Sequence, residues 1–302
     1  MADTPPTSDA AASDKPRAQL SRELVGPFLD ASQELVVFVD LAWAGLHDAL
    51  TAREMNDAMK RGYETLARSP VDYGIAPPPT ETQESLKRLE AAERFSSSQK
   101  AAGFPYLYGL AVIRLWAILE SFVADLVVRL LRDWPTSRST EAVRRLKGPL
   151  IEFADADPSS RAEFLVDMLA QDVRASLKAG VGRFEVILEA VGLTGTVADP
   201  VRRSIYEFSQ VRNAIAHRNG IADARFIAAC PWFGIAIGTH IPIDHSSLVR
   251  YNAATTWYVF ELTRRWGVSV DPLVLVDFPL DWLARFMNGR EVASVNPAAD
   301  AT

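Results

Sequence analysis

A chain of 302 residues that is 48% hydrophobic and 23% charged carries enough apolar side chain for a substantial core, which excludes disorder along its whole length. Its formal net charge of -6 excludes a protein that coats nucleic acid nonspecifically, since that mode needs many Lys and Arg contacts to phosphate, although a small basic site is still allowed. The single cysteine, Cys230, excludes an intrachain disulfide and a cysteine-rich zinc site, and beside Pro231 it is expected to be a packing residue.

Residues 1–19 are polar, carry Asp3, Asp9 and Asp14, and lack the apolar stretch of a secretory signal, so a disordered tail is expected there. From 20 to 69, Leu24, Phe28, Leu35, Val39, Leu46 and Leu50 mark the apolar face of an N-terminal helical extension, with a break expected at Gly26-Pro27. Pro77, Pro78 and Pro79 remove backbone donors, and 70–103 reads as a Pro-rich linker followed by a short solvated helix.

The strongest helical signal runs from 104 to 132. Tyr108, Val112, Leu115, Leu119, Phe122, Leu126 and Leu130 recur at three- and four-residue steps. A second stripe, Ile113, Trp116, Val127 and Leu131, encloses Glu120, and a helix apolar on two sides belongs inside a bundle. The apolar stretches 35–46 and 107–131 are broken by Asp40 and by Arg114, Glu120 and Asp125. Neither forms a charge-free span of about 18 residues, so a soluble, cytoplasmic protein with no membrane partner is expected.

Further helices are expected at 141–153, 159–178, 183–191 and 199–218. The last has marked ends, with Asp199 as N-cap, Pro200 at the first helical position and Asn219-Gly220 as the stop. Residues 224–229 and 233–241, joined by Cys230-Pro231-Trp232, predict a small β-hairpin, and 247–266 predicts a final helix. The expected fold class is an all-α helical bundle with a small β-hairpin insertion. Its main domain spans 104–290, and a disordered tail follows at 291–302.

On the 199–218 helix, Phe208, Val211 and Ile215 form the buried stripe. Tyr206, Gln210, Asn213 and His217 form a polar one, flanked by Arg212. The run Val211-Arg212-Asn213-Ala214-Ile215-Ala216-His217 resembles the Arg-polar-x-x-x-His motif of the HEPN superfamily of ribonucleases. Leu115 to Ser121 is similar to that family's first core helix, and the segment after His217 resembles its usual continuation, so the likeness covers roughly 104–266.

The resemblance implies a metal-independent RNA endonuclease in which the ribose 2′-hydroxyl attacks the adjacent phosphate, with Arg212, Asn213 and His217 as catalytic residues. Histidine suits proton transfer near neutrality, and arginine offers forked donors to a phosphorane-like transition state. Asparagine orients either partner. Tyr206, Gln210 and Glu120 are the supporting residues, Glu120 either pairing with Arg212 or reaching solvent or another basic residue. One His per motif implies a homodimer through the motif face. The resemblance further implies RNA as substrate, a bacterial defence, stress or toxin–antitoxin setting, and an inhibitor or antitoxin protein as a further partner.

The alternative is a catalytically inactive HEPN-like module that binds nucleotide or protein and serves for dimerisation, with His217 and Arg218 merely favouring the negative end of the helix dipole. His240, Asp244 and His245 lie close in sequence, but Pro242 and their non-helical context give no metal-ligand geometry, so neither metal nor cofactor is expected. His47 reads as a solvated or capped residue. Arg138, Arg144, Arg145 and Lys147 form a basic cluster that is either a solvated face or a guide for an RNA backbone.

Overall fold

The computed structural model describes residues 17–68, 74, 82–133, 135–148, 150–174 and 179–266. Among them there are helices but no strand. They run α1 (Arg17–Ala67), α2 (Gln83–Ala102), α3 (Pro105–Asp133), α4 (Pro135–Arg138), α5 (Glu141–Arg144), α6 (Leu150–Asp155), α7 (Pro158–Arg174), α8 (Val181–Ala190), α9 (Asp199–Arg218), α10 (Ala224–Ala229) and α11 (His245–Arg265). The chain is an all-α bundle. The expected N-terminal tail is helical at its end, since α1 starts at Arg17. Residues 1–16, the linker prolines 77–79, Trp134, residues 267–290 of the expected main domain and the expected tail 291–302 lie outside the described residues.

The two-sided apolar pattern makes α3 the central helix. Leu115, Leu119 and Leu126 are fully buried, and α1, α7, α9 and α11 pack around it. Phe28 of α1 meets Phe122 edge-on at 5.7 Å, and Glu23 pairs with Arg129 at 3.2 Å. The break expected at Gly26-Pro27 does not form: Pro27 sits inside α1. Its ring faces solvent, while Leu24, Val25 and Phe28 on either side are buried, and their packing offsets the one lost backbone bond.

Beyond Leu46, α1 leaves α3 and pairs with α2, where Arg53 lies 4.0 Å from Glu93. His47 is capped as one reading allowed, its Nδ1 lying 3.0 Å from the Trp43 carbonyl and its ring on the Trp43 ring. Over Glu23–Ala67, α1 is long and apolar enough to cross a membrane by length and composition, although Leu24, Phe28, Leu35 and Val39 are committed to the core.

The expected single helix over 141–153 is two short ones, α5 and α6, with non-helical residues 146–148 between them. In the basic cluster, Arg138 donates to the Leu131 and Arg132 carbonyls and so caps α3, while Arg145 pairs with Glu141.

The bounds of α9 match expectation to within a residue. Ala198 rather than Asp199 takes the N-cap position, and the exposed Asp199 carboxylate lies in the first turn, 4.0 Å from Arg202. At the other end Asn219 is left-handed at φ 53°, Gly220 follows at φ 74°, and the Gly220 N–H donates to Ala214 at 3.1 Å. The inner face is anchored by Phe208, stacked on Tyr251 and edge-on to Trp116, both at 5.0 Å.

The expected hairpin is replaced. The Asp223 carboxylate accepts from the Phe226 N–H at 2.8 Å and so caps α10, whose Phe226 is buried. Pro231 then opens a 3-10 turn that Gly234 ends at φ 61°. A side-chain cap and an Ala-rich helical turn outweigh the β-branched residues here, and the pairing shrinks to a single bridge between Ile221 and His240.

Asp244 caps α11, its Oδ1 accepting from the Ser247 N–H at 2.8 Å and Ser247 Oγ at 2.7 Å. Burial pushes this carboxyl upward, but the hydrogen bonds from Ser247 and Ser246 outweigh it and hold it below the ordinary value of 3.8. A depressed folded-state value adds stability above that ordinary value and loses it as pH falls through the folded one. Asp244→Ala is therefore expected to cost about 1 kcal/mol at neutral pH, with the difference shrinking as the pH falls below the ordinary carboxyl value. Urea titrations at pH 7 and pH 3 check this, and an equal loss at both would show that the cap's charge is irrelevant.

Where α9, α10 and α11 meet, the buried Glu207 carboxylate accepts from Trp232 Nε1 at 2.6 Å, from the Tyr251 hydroxyl at 2.7 Å and from Arg250. Cys230 beside it is buried. Burial first, and then the Glu207 charge, push its thiol up to about 12, so it packs rather than reacts.

Candidate active site

The polar stripe of α9 faces outward at its C-terminal half. Asn213 and His217 are both exposed and lie four residues apart, about 6 Å along the axis. Arg212 turns to the flank, where α3 and α8 approach. Its Nη1 donates to Asn213 Oδ1 at 3.0 Å, and its Nη2 lies 3.8 Å from Glu120 Oε2. With Oδ1 engaged, the Asn213 amide NH2 is the group left for another partner.

Glu120 therefore does face Arg212, but not alone. Arg183 of α8 lies 3.0 Å from the other carboxylate oxygen, Oε1, and all three side chains are partly buried. One carboxylate between two guanidinium groups leaves an excess of positive charge beside Asn213 and His217. An anion is favoured there. Sequence reasoning missed Arg183, because nothing local to α8 marks an ion pair with a residue 63 positions earlier.

The other polar-stripe residues serve elsewhere. Gln210 is partly buried, with Nε2 3.5 Å from Ser209 Oγ. Tyr206, about 10 Å up the axis from Asn213, lines a cavity of about 650 Å³ between α8 and the first turns of α9. The helices touch closely at this point. A Cβ at Gly180, where φ is 60°, would come within 2.6 Å of Tyr206 Cα, so only glycine fits.

Arg218, next to His217, lies 3.6 Å from Asp223 and is thus partly neutralised. Of the residues weighed as metal ligands, Asp244 is the α11 cap, and His245 packs edge-on against Tyr108 with ring centroids 6.2 Å apart. Among the described residues no three His, Cys, Asp or Glu side chains are grouped to hold a metal ion.

No protein-family model, curated protein or solved structure matches this chain. The site itself offers an imidazole open to solvent, a guanidinium held on a carboxylate, and an amide oriented by that guanidinium.

Proposed function

We propose that this chain is a metal-independent endoribonuclease of HEPN type, cytoplasmic, acting as a homodimer through the motif face. The observation that carries it is the exposed His217 standing one turn beyond the Arg212–Asn213 pair, itself held by Glu120. A phosphodiester set against Arg212 and the Asn213 amide puts its flanking ribose oxygens within range of an imidazole. The 2′-hydroxyl gives up its proton and attacks phosphorus, the 5′-oxygen leaves with a proton, and a 2′,3′-cyclic phosphate remains.

One imidazole supplies one proton-transfer group. A two-fold axis through the motif face brings a second His217 and a second Arg212 to the same phosphate from one sequence. A bacterial defence, stress or toxin–antitoxin role, with an inhibitor protein as partner, accords with the HEPN resemblance.

Wild-type protein incubated with single-stranded RNA is expected to give 2′,3′-cyclic phosphate ends at equal rates with and without EDTA. Products with 5′-phosphates that vanish on chelation would overturn the mechanism. Arg212→Lys is expected to lower the rate about tenfold or more, because a point charge does not reproduce a fork shared between Asn213, Glu120 and a phosphate. Full activity in that variant would remove the bidentate contact.

A further inference from the structure

The cavity between α8 and α9 is not used by the chemistry above. Its volume of about 650 Å³ lies within the range of small-ligand sites, and Val181, Val186 and Val197 give it apolar walls. Three carboxylates, Glu185, Glu189 and Asp199, line it against two guanidinium groups, Arg202 and Arg203. Asp199 stands 4.0 Å from Arg202, and Glu185 accepts from Arg265 at 2.8 Å and from the Tyr258 hydroxyl at 2.6 Å. Such a lining disfavours a phosphate and suits a neutral planar ring with hydrogen-bonding edges.

At its rim stands Arg203, exposed, with its guanidinium 4.6 Å over the Trp232 ring. Trp232 is 41% exposed, yet its Nε1 is tethered to the buried Glu207. A solvent-facing indole fixed by one edge and covered by a guanidinium is a preorganised stacking surface, because little rotamer freedom is left to lose when a further flat group settles on it.

Position links this surface to the motif. Arg203, Tyr206, Gln210, Asn213 and His217 follow one another at steps of three and four, so they form a single stripe along α9, about 21 Å from Arg203 to His217. We infer that the cavity and its Arg203–Trp232 rim form a nucleobase subsite for single-stranded RNA, stacking a base several nucleotides from the scissile phosphate. This rests on the ribonuclease reading only for where that phosphate lies. Bases splayed from a single strand stack on aromatic rings and on guanidinium planes, whereas a duplex keeps them inside.

The test uses the full chain carrying His217→Ala, with a short fluorescein-labelled single-stranded RNA and an abasic strand of the same length, read by fluorescence anisotropy. Adding Arg203→Ala is expected to weaken binding of the base-bearing strand about tenfold and to leave the abasic strand nearly unaffected. Arg203→Lys should not restore it, since an ammonium does not stack. Arg203 is exposed, and an unchanged melting curve confirms the fold. Equal losses on both strands, no loss, or no binding by the His217→Ala parent overturns the subsite. If wild-type protein binds through Arg203 but never cleaves, the subsite stands and the ribonuclease reading falls. If it cleaves and Arg203→Ala is neutral on base-bearing RNA, the reverse holds.

Discussion

Replacing His217 with alanine is expected to abolish RNA cleavage while leaving the helical spectrum and the melting temperature in place. The side chain is exposed and lies off the Phe208–Val211 stripe that fixes α9 to the bundle, so its loss opens no cavity. Alanine is the better helix former, and the dipole contribution of an exposed histidine at this terminus is at most a few tenths of a kcal/mol to about 1. A general acid or base is worth roughly 10²- to 10⁴-fold in rate. Removing the one candidate on this face should take activity to that floor.

The homodimer adds a sharper signature. Mixing wild-type with excess His217→Ala subunits should depress the rate below simple dilution, because a composite site needs both imidazoles. Undiminished cleavage by the variant would end the assignment, and a matched fall in helicity and activity would mark the histidine as structural instead.

The second large effect is on stability. Glu207→Ala is expected to lower the folding free energy by about 3 kcal/mol, near the low end for breaking a buried ion pair because Arg250 keeps part of its hydration. The Tyr251 hydroxyl and the Trp232 Nε1 lose their acceptor, and Tyr251 is buried away from the surface. For a chain of this size that is a drop of roughly 6 to 12 °C in melting temperature. Glu207→Gln keeps an acceptor and should lose less than half as much. A drop under 2 °C for the alanine variant would mean that water reaches this junction; that threshold is roughly the shift expected for under 1 kcal/mol.

Much of the architecture is written locally. The two apolar stripes of α3 specify a helix covered on both sides, and Asn219-Gly220 specifies where α9 stops. That Asn213 and His217 share an exposed stripe of α9 is likewise legible from their spacing. What was illegible depends on contacts distant in the chain. Pro27 reads as a break until α3 supplies buried partners on both sides of it. Residues 224–241 read as strands by side-chain type, yet a single Asp223 carboxylate starts a helix there. Arg183 has no local signature, because its meaning comes from a carboxylate on another helix. The rim at Arg203 and Trp232 joins residues of α9 and the 3-10 turn that only the fold sets face to face.

The sharing of Glu120 has a consequence for how the site exchanges partners. A half-buried carboxylate with a single counter-ion would resist any anion that drew that counter-ion away, since the separated charge would have to be rehydrated or left uncompensated. Here a phosphate that drew Arg212 partly away from Oε2 would still leave Arg183 on Oε1. The guanidinium nearest the motif is thus held loosely enough, at 3.8 Å against 3.0 Å for its rival, to be surrendered without stranding the carboxylate behind it.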